Sequence, residues 1–211
     1  MAPRTVTLNT VVMTLSAVIM VEILAVLLIL YMGLPSLAVT GAARLIQTAL
    51  IFWIVFKFEQ GFAGIGLDKR DWISGLKYGL IWSAGFGLAA ALGFGLFHLF
   101  GYNALLWIRT PLPAGYERGL FFLIAGLIAP ISEEIFFRGI LYGYLRRWGI
   151  VLALIVTTVI FVMLHAVQGF PLAQLVGGIV FALAYEASGK LLAPITIHVL
   201  GNLAIFTLSL M

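Results

Sequence analysis

Apolar residues run through this chain in blocks about as long as a bilayer is thick, and most polar residues fall in the gaps between them. A membrane-crossing helix needs about 20 predominantly apolar residues. On that measure the pattern predicts seven helices, near residues 6–32, 36–57, 73–100, 118–147, 149–167, 171–188 and 190–210. The first block is too long for a signal-peptide core and no small-residue cleavage site follows it, so it is expected to remain as an anchor. Two gaps are sizeable. "FEQGFAGIGLDKRDW" reads as an interfacial loop or short amphipathic helix with Trp72 at headgroup level, and "GYNALLWIRTPLPAGYE" precedes the fourth block. No internal repeat or low-complexity linker interrupts the series. The expected fold is an all-α, multi-pass transmembrane bundle forming a single integral membrane domain over residues 1–211.

Composition agrees, with 63% hydrophobic and only 9% charged residues, far from a soluble balance. No room is left for a separate soluble catalytic domain, so any chemistry must take place in or at the bilayer. The absence of cysteine excludes thiol catalysis, disulfides and thiolate metal ligands. The net charge of +4 comes from scattered loop residues with no basic run, so no nucleic-acid partner is expected. Taking the gaps alternately, Arg4, Lys57, Lys69, Arg70, Arg146, Arg147 and Lys190 share one side, against Arg109 and Arg118 on the other. The positive-inside bias then puts the amino terminus in the cytoplasm and the carboxyl terminus outside, in a cell membrane.

Against this background a few polar residues inside the blocks stand out. Glu133 and Glu134 sit side by side in "LFFLIAGLIAPISEEIFFRGILYGYL", with Arg138 one turn on, and His165, His198 and Asn202 lie in later blocks. An ionisable group at bilayer depth costs roughly 2.5–3.5 kcal/mol on insertion scales, so such groups mark chemistry, a transport path or a buried pair. Neighbouring helical side chains diverge by about 100°, so the two glutamates cannot face one point. Glu134 and Arg138 are spaced to pair on one helix face, which leaves Glu133 free. His198 and Asn202 share the same spacing and offer two donors side by side, and Phe161 precedes His165 by one turn, where it can pack on the ring. Pro130 and Pro194 lie just before Glu133 and His198, where a helix-interior proline would free a carbonyl and bend the axis.

Peptide hydrolysis needs an activated water or nucleophile, a base, and donors for the developing oxyanion. A paired-aspartate site is excluded because Asp68 and Asp71 both lie in a loop; no His is followed by Glu, and no G-x-S-G is present. What remains is a carboxylate with two histidines. Counting about 1.5 Å per residue from the basic ends puts His198 about 12 Å deep, Glu133 about 20 Å and His165 about 24 Å. Tilt, proline bends and side-chain reach would have to close that gap.

"EEIFFR" (Glu133, Glu134, Arg138), "FVMLH" (Phe161, His165) and "HVLGN" (His198, Asn202), in this order, resemble the E-E-x-x-x-R, F-x-x-x-H and H-x-x-x-N motifs of the CPBP family. These are the CAAX-prenyl-type and bacteriocin-processing intramembrane proteases, also called Abi or Rce1-like. The likeness covers roughly residues 118–207, a catalytic core within the single domain, while the first half carries no motif. It implies a glutamate-type intramembrane endopeptidase with its polar cavity among the last four helices. The residue matching Glu133 would activate water with that matching His165, those matching His198 and Asn202 would hold the oxyanion, and Glu134, Arg138 and Phe161 would shape the site. The substrate would be a membrane-associated protein or peptide, with no cofactor expected.

Other readings stay open. Glu133, His165 and His198 plus water would suit catalytic zinc. A bacteriocin-immunity or scaffold protein could keep the motifs for structure alone, and Glu and His chains also serve proton-coupled transport. Outside the motifs, Glu22 and Arg44 are expected to pair with each other, and His98 to be interfacial. Gly75 with Gly79, and Gly139 with Gly143, give spacing for close helix contact. Trp107 and Trp148 read as interface anchors.

Overall fold

In a computed structural model, which describes residues 6–59, 61–165 and 170–211, the chain folds into seven helices, with no strand among those residues. They are α1 (Leu8–Met32), α2 (Ser36–Phe58), α3 (Trp72–Leu99), α4 (Glu117–Trp148), α5 (Ile150–Leu164), α6 (Leu172–Ser188) and α7 (Leu192–Leu208). Arg4 lies outside the described residues, as do positions 166 and 167, to which the sequence pattern extended the fifth helix.

Local chemistry sets several boundaries. Thr7 caps α1 by accepting a hydrogen bond from the Thr10 N–H, and Gly33 ends it in the left-handed region at φ +64°, which costs a glycine no steric strain. The first four helices are long and apolar enough to cross a membrane, whereas α5, α6 and α7 have 15, 17 and 17 residues. At about 1.5 Å per residue the short helices reach about 22–25 Å, less than a hydrocarbon core of about 30 Å.

Packing runs through small residues. A Cβ on Gly79 would lie 2.5 Å from the Thr196 side chain and one on Gly75 3.0 Å from Leu192, so α3 and α7 touch almost backbone to backbone. Gly178 likewise admits Thr158, and Gly41 admits Ile124. Gly139 faces Ile65 and Leu191, and Gly143 faces Val6. The spacing read as helix packing has that role at Gly75 and Gly79, whereas Gly139 and Gly143 admit residues that lie outside the seven helices.

The gap after α2 departs from the interfacial loop expected. It forms two short turns, Phe62–Ile65 and Lys69–Asp71, and its middle folds inward. Ile65 is fully buried; its carbonyl accepts from the Tyr185 hydroxyl at 3.1 Å, and the Gly66 carbonyl accepts from the Leu191 N–H at 2.9 Å. The apolar Ile65 side chain and two buried donors favour insertion over a surface position. Trp72, Trp107 and Trp148 are about half exposed, Trp72 and Trp148 at the ends of α3 and α4 and Trp107 in the loop between them.

The basic residues gather at one end of the bundle. Glu186 accepts from Arg146 Nε and Nη2 at 2.7 Å each and from the Tyr142 hydroxyl at 2.8 Å. Lys190 pairs with Asp71 at 3.3 Å. Arg147 Nη2 donates to the Val6 carbonyl, and the Thr7 N–H to Glu59 Oε1 at 2.8 Å, which fixes the start of α1 at this end. At the opposite end the Thr110 N–H donates to Ser209 Oγ at 3.0 Å, tying the loop before α4 to the end of α7.

Candidate active site

The site starts from an irregularity in α4. Residues Ile124–Ile128 and Ile135–Tyr142 are wound as wide π turns on either side of Ala129–Glu134. Pro130 accounts for the first. In the i to i+5 pattern the Ala129 N–H bonds the Ile124 carbonyl, so the next carbonyl, Ala125, would need a donor from residue 130, which proline lacks. The Asn202 side chain on α7 supplies it, donating from Nδ2 to the Ala125 carbonyl at 2.9 Å. The expectation of a carbonyl freed by Pro130 is met, and its partner is a motif residue. Pro194 behaves differently from expectation: it stands in the first turn of α7, where N–H groups have no intrahelical partner anyway, so it starts that helix instead of bending it.

Glu134 and Arg138 pair as their spacing implied. Arg138 Nη1 donates to Glu134 Oε1 at 3.0 Å, both side chains are 0% exposed, and Arg138 Nη2 donates to the Gly178 carbonyl of α6 at 3.0 Å. The guanidinium lies 5.1 Å from the Phe161 ring centre and 5.3 Å from that of Phe181, close enough for cation–π attraction. Glu134 Oε1 is also hydrogen-bonded to His198 Nδ1 at 2.8 Å. The second glutamate thus braces a histidine from beneath while a buried cation balances it.

His165 leaves its helix. It ends α5 at φ −96° and ψ 94°, with its N–H on the Val162 carbonyl, and its Nδ1 is 2.7 Å from the Phe161 carbonyl. A carbonyl can only accept, so Nδ1 carries the proton and the neutral ring presents a lone pair at Nε2. Phe161 also sets its ring 4.3 Å from that of His165 and 5.8 Å from that of His198. The F-x-x-x-H spacing therefore has a physical content: one residue supplies the carbonyl that fixes the tautomer and the ring that fixes the plane.

Glu133 is where these parts meet. Its Oε2 lies 3.8 Å from His165 Nε2 and 3.8 Å from His198 Nε2. The sequence-based depth gap is closed because a wide turn advances less per residue along α4, His165 sits past the end of α5, and His198 lies low on α7 with Glu134 reaching down to it. Glu133, His165 and His198 form one cluster, with Glu133 and His165 partly open (17% and 29%) and His198 nearly sealed, while Asn202, one turn on from His198, is held at the Ala125 carbonyl.

The sequence reading missed two contributors on α6. Phe181 stacks on His198 at 4.4 Å with 20° between the ring planes, and Gly178 provides the carbonyl for Arg138. Their signal was available: Gly178, Phe181 and Tyr185 repeat at helical spacing and form one buried stripe. Glu22 pairs with Arg44, as expected, and Gln47 joins them. His98 stands exposed in the last turn of α3.

Among the described residues no three His, Asp or Glu side chains are grouped to hold a metal ion, so Glu133, His165 and His198 do not form a ready ligand cage in this arrangement. Two hollows of about 370 and 390 Å³ lie elsewhere, one walled by α3 and α6 at Ile81, Trp82, Gly85, Phe86 and Val180, the other around Val6, Thr7, Leu8 and Arg147. Glu133, His165 and His198 line neither hollow.

No curated protein and no solved structure matches the chain. A family described as "Type II CAAX prenyl endopeptidase Rce1-like" matches residues 115–204, a stretch that holds all three motifs and every residue of the cluster. That likeness supports a peptidase acting on a membrane-associated protein or peptide, in keeping with the long apolar helices. The stretch of this multi-pass membrane chain from the loop before α4 into α7, residues 115–204, is thus similar to the Rce1-like endopeptidases.

Proposed function

We propose that the chain hydrolyses a peptide bond inside the membrane by glutamate-activated water. The observation that carries this reading is the position of Glu133 Oε2, 3.8 Å from the Nε2 atoms of both His165 and His198. That separation is beyond a direct hydrogen bond and invites a bridging water. A water between Glu133 and His165 meets two acceptors, the carboxylate and the Nε2 lone pair. It can donate one proton to each and keep an oxygen lone pair for attack.

The water oxygen then bonds to the peptide carbonyl carbon while Glu133 takes up its proton. His198, through Nε2, and Asn202, through the amide N–H not given to Ala125, stand ready for the carbonyl oxygen as it becomes negative. Collapse breaks the C–N bond, and the proton held by Glu133 passes to the leaving nitrogen, releasing a carboxylic acid and an amine. For His198 to donate at Nε2, the ring must carry both protons, or the proton shared with Glu134 must sit on the carboxyl.

The positive-inside bias makes the basic end cytoplasmic, which puts the start of α1 in the cytoplasm of a cell membrane. The test uses purified protein in detergent with fluorogenic membrane-anchored peptides. Glu133→Gln and His165→Ala should each lower the rate about 10²–10⁴-fold, the usual worth of acid–base groups. Cleavage at the parent rate by either would overturn the mechanism. Activity should survive a strong chelator, and stoichiometric zinc in active protein would instead make the three residues ligands.

A further inference from the structure

The two histidines that meet Glu133 are held by the same two kinds of contact, drawn from different sources. His165 has an acceptor at Nδ1, the Phe161 carbonyl at 2.7 Å, and a ring against its own, that of Phe161 at 4.3 Å. Both come from the residue one turn back, so the arrangement shows in the sequence as F-x-x-x-H. His198 has Glu134 Oε1 at 2.8 Å from its Nδ1 and the Phe181 ring at 4.4 Å, 20° from parallel. Here the acceptor comes from α4 and the ring from α6, so no spacing announces the pair. Phe161 also meets His198, but edge-on, at 5.8 Å and 73°.

The local build of α6 serves that stack. Helical side chains lean toward the start of their helix, so the Phe181 ring lies back over the preceding turn. A Cβ on Gly177 would stand 3.1 Å from its Cε2 and Cζ atoms, close enough to press the ring out of line. Gly178 lets α6 approach α5, where its own Cβ would meet Thr158 at 2.9 Å, and gives its carbonyl to Arg138 Nη2 at 3.0 Å. Arg138 lies 5.3 Å from the Phe181 ring centre and binds Glu134 Oε1. His198, Glu134, Arg138 and Phe181 thus close a circuit of four buried side chains.

We infer that Phe181 is a positioning residue, which fixes the plane of the His198 imidazole and with it the direction in which Nε2 points. This rests on the hydrolytic reading above and adds to it the segment Gly177, Gly178 and Phe181 of α6. One hydrogen bond at Nδ1 fixes a point and leaves the ring free to tilt about it. The parallel ring of Phe181 removes that freedom. A tilt would swing Nε2 away from the carbonyl oxygen it is to meet, and a misplacement of about 1 Å can cost about 10²-fold in rate.

Phe181→Leu keeps an apolar side chain and removes the ring. With purified protein and the fluorogenic membrane-anchored peptides, at a temperature where parent and variant are both fully folded, kcat should fall about 10- to 100-fold and KM stay within about twofold. A double-mutant cycle then asks whether the ring acts through His198. With His198→Ala in place, adding Phe181→Leu should change the residual single-turnover rate by less than about twofold, because the ring has nothing left to aim. The proposal is overturned if Phe181→Leu cuts at the parent rate, raises KM alone, or slows the His198→Ala protein by its full factor. Parent-like cleavage by His198→Ala overturns it as well. Should Phe181→Leu not fold, Phe181→Met, whose flexible side chain fills irregular gaps, carries the same cycle; failure of both to fold makes Phe181 core packing and overturns the role. Glu133→Gln keeps the two claims apart. If that variant still cuts, the hydrolytic reading falls whatever the cycle shows; if it is inactive and the cycle is additive, only the role of Phe181 falls.

Discussion

Two carboxylate–guanidinium pairs stand within the membrane-spanning part of this chain, and they are built differently. Glu134 and Arg138 lie on one helix at 3.0 Å with neither side chain exposed, and each is bonded onward, Glu134 to His198 and Arg138 to the Gly178 carbonyl. Glu22 and Arg44 come from two helices, are 42% and 25% exposed, and among the described residues share side-chain hydrogen bonds with Gln47. Both satisfy the rule that membrane charges find partners. Only the first touches a titratable ring that faces another carboxylate, so the connection outward, more than the pair itself, separates the candidate site from a structural clasp.

The sharpest way to break the comparison is to remove one cation. Arg138→Met would leave Glu134 buried without a counter-charge and strip three aromatic rings of their partner, a loss of about 3–5 kcal/mol for breaking a buried pair. Thermal unfolding in detergent measures it, and activity should vanish with it. If Arg138→Met unfolds no earlier than Arg44→Met, the distinction drawn from burial is void.

Replacing both members separates stability from function. Buried pairs exchanged for apolar residues of similar volume are often neutral or even more stable, so Glu134→Leu with Arg138→Met should recover much of the stability lost in the single variant. Its activity should stay down by about 10²-fold or more, since His198 Nδ1 has lost the carboxylate that holds it and an oxyanion donor is worth that much. A stable double variant that cuts normally would reduce the pair to scaffolding.

Asn202 tests the same division within one residue. Asn202→Ala leaves the Ala125 carbonyl, freed by Pro130, without its donor, at about 1–3 kcal/mol. As an oxyanion donor its loss should also lower kcat by about 10²–10³-fold with KM little changed. A kcat loss fully restored by cooling to matched folded fractions would confine Asn202 to the structural task.

These contrasts also show where the sequence was legible. The apolar blocks were visible because polar gaps bound them, although bilayer thickness accounts for the length of only the first four, and the i, i+4 pairs were visible because one helical turn dictates which side chains meet. The Glu134–Arg138 and Glu22–Arg44 pairings follow from such local or compositional rules. What stayed hidden depends on departures from regular geometry: the π turns of α4, His165 lying past the end of α5, and the inward fold of Ile65. Straight helices put Glu133 and His198 several ångströms apart in depth, and nothing in a period of 3.6 announces that the helix carrying the glutamates is locally wider. Phe181 was hidden for another reason, since an apolar residue in an apolar helix carries no mark until its neighbour, His198, is known.

The smallest effect belongs to the second pair. Removing Glu22 alone would strand Arg44 at membrane depth, so the informative variant replaces both, Glu22→Leu with Arg44→Met. The two charges then leave together, and the desolvation cost of each leaves with them. Gln47 loses the Glu22 carboxylate to which its amide donates at 2.9 Å, but its Nε2 also lies 3.5 Å from the Val18 carbonyl and can tighten onto it. The expected change in unfolding is within about 1 kcal/mol, on the scale of weakly coupled pairs, and the cleavage rate should match the parent. A tenfold fall in kcat with the fold intact would mean that α1 and α2 reach the site through this pair, and the two clusters would then have to be treated as one.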